Sequence, residues 1–193
     1  MGQNSPRTTE RRAAASRLLT PSGLALALSC FAFGFLAVSC ETPGGFGRAA
    51  QGGTTTYSGL DLALDAPPTV TPMSRQMMDR PDQLGWHVPV LLAALLFMAG
   101  AVFGATALKH RRHAVIACTG LGALLLIGGE IVAYQRLTGL VADQITEPLP
   151  AGRDAADYVE TGFGFWTALA FAGLVLSAHL WTWFRHRAAR APS

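Results

Sequence analysis

Residues 88–134 read VPVLLAALLFMAGAVFGATAL, then KHRRH, then AVIACTGLGALLLIGGEIVAY. Residues 88–108 carry no charge, and residues 114–134 carry one, Glu130. Each run meets the roughly 20 apolar residues needed to cross a bilayer. Bilayer hydrocarbon offers no partner for backbone N–H and C=O groups, so each run is expected to be a helix. The five residues between them, Lys109-His110-Arg111-Arg112-His113, form a short, wholly basic turn. Two antiparallel membrane helices joined by that turn are the core of the reading.

Two further apolar stretches flank this hairpin, at residues 23–39 and 163–184. The whole chain agrees with them. Half of its 193 residues are apolar and only 14% are charged, against roughly 25% in soluble proteins. Too few charges remain to coat a soluble globule of this length. The expected fold is therefore an all-α membrane protein, a four-transmembrane-helix bundle with a small β-containing extracytoplasmic cap. Its parts are a basic tail (1–22), a first span (23–39), a long loop (40–87), two spans (88–108 and 114–134) around the 109–113 turn, a second loop (135–162), a last span (163–184) and a basic tail (185–193).

Charge placement orients the bundle. Arg7, Arg11, Arg12 and Arg17 precede the first span, Lys109, Arg111 and Arg112 sit in the turn, and Arg185, Arg187 and Arg190 follow the last span. The acids gather in the two loops: Glu41, Asp61, Asp65, Asp79 and Asp82 in the first, Asp143, Glu147, Asp154, Asp157 and Glu160 in the second. Lys and Arg favour the cytoplasmic side, so both termini lie inside and both loops outside the cell membrane. Trp86, Tyr134 and Trp166 then fall at the outer interface, and Trp181 and Trp183 at the inner one. The basic balance reports topology and attraction to anionic lipid, not nucleic-acid binding.

Residues 1–40 also fit an export signal that ends in Ala37-Val38-Ser39-Cys40, similar to a bacterial lipobox. Lipidation at Cys40 would leave a lipid-anchored protein with three spans. An uncleaved first span is the alternative, and both keep the other spans in the same orientation. Cys30 and Cys118 lie within spans, so no extracellular disulfide within one chain is expected.

Lipid tails are as apolar as leucine, so helix association relies on small residues that allow close backbone approach. Gly34, Gly100, Gly104, Gly122 and Gly173 are the expected packing positions, with Ala25, Ser29, Ala114, Cys118, Gly164, Ala168 and Ala172 extending the stripes. Such stripes favour a compact bundle and also admit an oligomer. In the first loop, Thr54-Thr55-Thr56-Tyr57 is rich in strand formers. Leu60, Leu62 and Leu64 alternate with Asp61, Ala63 and Asp65, as in a half-buried strand that Pro67, Pro68 and Pro72 then break.

This layout resembles the claudin-like tetraspan architecture. Tyr57-Ser58-Gly59-Leu60 is similar to the start of that family's Gly-Leu-Trp motif. Glu147-Pro148-Leu149-Pro150, followed by Gly162, Gly164, Trp166 and Ala168, is similar to its second loop and fourth span. Asp61 stands where the tryptophan would be, and the paired loop cysteines are absent. The resemblance implies membrane organisation or adhesion-like contacts. One lysine beside fourteen arginines, with abundant alanine, suggests a GC-rich bacterial origin.

Glu130 is the one ionisable acid inside a span, and such residues often mark ion or proton paths. It sits about one turn from the outer end of its helix, where His87 at the end of span two lies at comparable depth. The pair is the candidate ion or proton site. His179, in span four, is expected to make an interhelical hydrogen bond. His110 and His113 lie in the basic turn, which does not suit haem ligation, and Met73, Met77 and Met78 are expected to pack rather than bind copper. No nucleophile–base pair, phosphate loop or metalloprotease motif is present. The expectation is a non-catalytic integral membrane protein without cofactor or metal. Its outer loops would contact another membrane or envelope protein, and the alternative is a small transporter or channel component using Glu130.

Overall fold

The computed structural model describes residues 20–39, 46, 49–73, 84–106, 111–145, 149 and 151–188. Helix α1 (Thr20–Ala32) closes in a 3-10 turn over Cys30–Ala32. Strand β1 (Gly34–Ser39), strand β2 (Ala49–Ser58), helix α2 (Gly59–Leu64) and strand β3 (Thr69–Met73) follow. Then come helix α3 (Val88–Ala105), helix α4 (Arg111–Gln144), strand β4 (Val159–Thr161) and helix α5 (Phe163–Ala188).

Three of these helices, α3, α4 and α5, are long and apolar enough to cross a membrane, and α1 is a shorter apolar helix. The most extensive packing in the molecule joins α3 to α4. Buried residues recur along α3 at Val90, Ala93, Phe97, Gly100 and Gly104, and along α4 at Val115, Thr119, Gly122, Leu126, Gly129 and Ala133. Alternating steps of three and four residues give one seam per helix, the geometry of knobs-into-holes packing. Gly122 admits the Phe97 ring, and Gly129 admits Val90. The other faces carry exposed Leu92, Leu95 and Met98 on α3, Leu121 and Leu124 on α4, and Leu174 on α5. Water-soluble monomers rarely expose continuous apolar surface on this scale.

The strands form one antiparallel sheet in the order β3-β2-β1-β4. Leu36 pairs with Tyr57 on one side and Thr161 on the other, so β1 is a central strand. This corrects the 23–39 span. The helix ends at Ala32, Phe33 turns to extended backbone, and the rest of that apolar run is strand. Phe35, Leu36 and Val38 are fully buried. A strand buried on both faces is as apolar as a helix, so hydropathy does not separate the two.

A second correction concerns residues 60–65, read as a strand but helical as α2. Ser58 and Asp61 form a reciprocal capping box: the Ser58 N–H donates to Asp61 Oδ2 at 2.8 Å, and the Asp61 N–H donates to Ser58 Oγ at 3.1 Å. That pairing satisfies two of the donors a helix start leaves open. Asp65 then ends the helix at φ 55°, ψ 38°. Pro72, expected to break strand structure, lies within β3, where an edge position tolerates its missing N–H.

Other boundaries move as well. The 88–108 span ends as helix at Ala105, where Thr106 is extended. The 114–134 span is longer at both ends, because Leu137 and Val141 carry the buried face of α4 on to Gln144. At 1.5 Å per residue its 34 residues rise about 50 Å, beyond the roughly 30 Å hydrocarbon core. The 163–184 span continues as α5 to Ala188. The 135–162 loop thus loses its first part to α4 and gains β4, with a 3-10 turn at Ala155–Tyr158 before it.

Sheet and helices meet at an aromatic cluster. Phe31 lies 5.0 Å from Phe35 and 6.3 Å, edge-on, from Phe97; Phe35 lies 6.1 Å, edge-on, from Phe165. Edge-to-face contacts at these distances are favourable beyond the area they bury. Gly59 rests on the Phe31 and Phe35 rings, which seats the start of α2 on the cluster.

Candidate functional site

Glu130 projects from α4 where that helix passes α5 and β4. It is 5% exposed, and neither carboxylate oxygen has a hydrogen-bond partner. Leaving a carboxylate buried and unpaired costs substantial free energy, so this position is not explained by packing alone. Gly129, the preceding residue, faces α3 through Val90 and Pro89. One step along a helix turns the side chain by about 100°, which brings Glu130 round to the α5 side.

There it forms part of the wall of a groove of about 410 Å³. Helix α4 supplies Ile127, Glu130, Ile131, Tyr134 and Gln135; α5 supplies Phe165 and Trp166; β4 supplies Thr161. The Tyr134 hydroxyl donates to the Ala156 carbonyl at 3.2 Å, tying the turn before β4 to α4 above the groove. The indole of Trp166 is 58% exposed and packs edge-on against Phe165 at 5.1 Å. The groove is therefore aromatic on the α5 wall, mixed aliphatic, aromatic and polar on the α4 wall, and open to the side.

His87 does not join Glu130. It precedes the first turn of α3, 2% exposed, and its Nε2 also lacks a partner. Its N–H donates to the Leu62 carbonyl at 3.1 Å, and its carbonyl accepts from Val90 and Leu91, so it links α2 to α3. Burial pushes its pKa down, the Arg136 guanidinium lowers it further, and Asp65 partly opposes both. The charges that act on His87 thus come from Arg136 and Asp65. Neither His87 Nε2 nor the Glu130 carboxylate has a hydrogen-bond partner, so the two are not bonded to each other.

His179 makes the expected interhelical bond: its Nε2 lies 2.8 Å from Thr20 Oγ1, joining α5 to the start of α1. Gly100 and Gly104 receive Leu24 and Thr20 of α1, and Gly122 receives Phe97. Gly34 lies in β1 against Thr56 instead of in a helix stripe. Gly173 has open space around it, and the α5 contacts fall on Gly164, Ala168 and Ala172. Cys40, Met77, Met78 and His110 lie outside the described residues. Among the described residues, no group of three or more His, Cys, Asp or Glu side chains could hold a metal ion.

The sequence reading singled out Glu130, Tyr134 and Trp166 separately but did not bring them together. Gln135, Thr161 and Phe165 were missed. The spacing of Ile127, Ile131, Tyr134 and Gln135 places them on one helix face, but nothing local points to β4 as the roof. Comparison with known protein families, curated proteins and solved structures finds no match for this chain.

Proposed function

We propose that this chain is a non-catalytic four-span membrane protein whose β-capped outer face contacts another membrane or envelope protein. The observation that carries the reading is the place of α1 and β1. Helix α1 runs antiparallel to α3, with Thr20 beside Gly104, Leu24 beside Gly100 and Phe31 beside Phe97. It also runs antiparallel to α5, with Thr20 bonded to His179, Gly23 against Val175 and Cys30 against Gly164. It therefore lies along one half of α3, from Phe97 to Gly104, and along α5 from Gly164 to His179, which supports it as a short fourth span.

Cleavage before Cys40 would remove α1 and the strand between β2 and β4, with Leu24, Phe31, Phe35, Leu36 and Val38 of the core. That favours the uncleaved span over the lipid-anchored, three-span alternative. The basic residues before α1, between α3 and α4 and after α5, against the acids of the two long loops, favour cytoplasmic termini. The sheet uniting both loops over the bundle adds to the claudin-like layout. For partner contact, the cap offers the exposed side chains of Leu60, Leu64 and Trp86 where α2 meets α3.

Reporter fusions test the topology: those after Arg112 and Arg190 should report cytoplasm, and those near Gly53 and Asp154 the outside. One reversed position breaks the four-span reading. The mature protein should keep its full mass, unchanged by Cys40→Ala. In-cell crosslinking from the cap should trap a partner that Leu60→Asp with Leu64→Asp releases. The second reading, a small transporter or channel component, draws on the unpaired Glu130 carboxylate. It requires pH-dependent flux in proteoliposomes that Glu130→Gln abolishes; absence of flux in the unaltered protein ends it.

A further inference from the structure

The Glu130 groove has a chemistry that the cap-and-scaffold reading leaves unused. Both carboxylate oxygens are buried and unpartnered, so an occupant that satisfies them must bring donors. The Tyr134 hydroxyl, which lines the groove, is already committed to the Ala156 carbonyl. An anionic occupant would meet the carboxylate's own charge. A divalent cation would find no further ligating cluster among the described residues. A quaternary ammonium has charge but no N–H to donate. A primary ammonium has both, with three donors on a compact cation.

The rest of the groove suits what such a head would be attached to. Phe165, Trp166 and Tyr134 line the same groove as the carboxylate, and aromatic rings attract desolvated cations. Ile131 and Trp166 are both exposed on the flank of the bundle, so an occupant with an apolar tail can lie along the helices and enter from the lipid. We propose that this groove binds the primary ammonium group of an amphiphile, its donors on the Glu130 carboxylate and its apolar body against Ile131 and Trp166. Charge-assisted hydrogen bonds are the strong ones, and the surrounding side chains shield this one from water. The proposal needs the groove to face lipid but does not rest on any partner at the cap.

The full chain in nanodiscs containing equal parts phosphatidylethanolamine, phosphatidylcholine and phosphatidylglycerol provides the test, with retained lipid read by native mass spectrometry. Phosphatidylethanolamine should be retained at least about tenfold over phosphatidylcholine, the scale of one charge-assisted hydrogen bond. Dodecylammonium should compete with it. Glu130→Gln should erase the preference, and Glu130→Asp should keep part of it. Ile131→Trp alters an exposed position, leaves the carboxylate in place and should block the groove even where Glu130→Gln fails to fold. Binding of dodecylammonium without lipid preference assigns a soluble amine as the occupant and supports the same chemistry. Equal retention of the three lipids with no dodecylammonium binding overturns the proposal, as does a preference that survives both Glu130→Gln and Ile131→Trp.

Discussion

Two junctions in this molecule use glycine in different ways. Along the α3–α4 seam, Gly122 makes room for side chains, the Phe97 ring and Leu96, and Gly129 chiefly for a Val90 methyl group. Where β1 meets the start of α5, Gly162 and Gly164 make room for backbone: the carbonyls of Gly34, Phe33 and Cys30. The Gly162 N–H also donates to the Phe35 carbonyl. A ring or methyl group can rotate aside, whereas a carbonyl locked into sheet and helix cannot. The seam is therefore adjustable packing, and the sheet–helix junction is a fixed backbone contact.

That contrast orders the effects of added methyl groups. Gly162→Ala should be the most damaging, because its new Cβ falls on the Gly34 carbonyl; a loss of about 3 kcal/mol, at the upper end for overpacking, is expected. Unfolding in mixed micelles, followed by circular dichroism, would measure it. Should Gly162→Ala prove milder than Gly122→Ala, the distinction between the junctions fails. Gly122→Ala puts a Cβ 2.7 Å from the Phe97 ring, so about 1–2 kcal/mol is expected, recovered in part by Phe97→Leu in a double-mutant cycle.

Two polar links sharpen the comparison from outside the glycine contacts. Thr20→Val removes the bond to His179 and should cost about 0.6–1.7 kcal/mol, the range for interhelical hydrogen bonds in membranes. His87 links α2 to α3, and its pKa is held below the ordinary value of 6.5. The unfolded chain therefore binds more protons in acid, and stability that is complete above pH 6.5 is lost as pH falls below it. Melting temperatures between pH 7.5 and 5 should show that decline, and His87→Gln should flatten it. The smallest effect belongs to Gly173→Ala, with nothing within 4 Å of the new methyl group; a change within about 0.5 kcal/mol is expected.

Sequence made the long helices legible because length and apolarity alone define them. The packing positions Gly100, Gly104 and Gly122 are also readable as small residues at helical spacing, the first two against α1 and the third against α3. The strand at Gly34–Ser39 was not, because a strand buried on both faces shows no alternation and continues the apolar run of α1. The Ser58-x-x-Asp61 cap was a readable sign of helix, but the alternating leucines drew the opposite reading. At the site, Glu130 stood out as an acid among apolar residues. Its groove did not, since Thr161 and Phe165 reach it only through the pairing of β4 with β1. His87 is a partner for Glu130 by depth alone, and similar depth does not make a hydrogen bond: both groups are without one.

The pairing of Leu36 with Thr161 has a consequence for biogenesis. These residues lie near opposite ends of the chain, so the cap cannot close until synthesis has passed the last loop. Contacts between such distant segments form slowly, because a long intervening chain must first be ordered. Until then β1 has an open hydrogen-bonding edge, one that another nascent chain or a quality-control protease can engage. Strand β4 thus acts as a completion signal: a ribosome that stalls before Val159 leaves a product recognisable as unfinished by the open edge of β1.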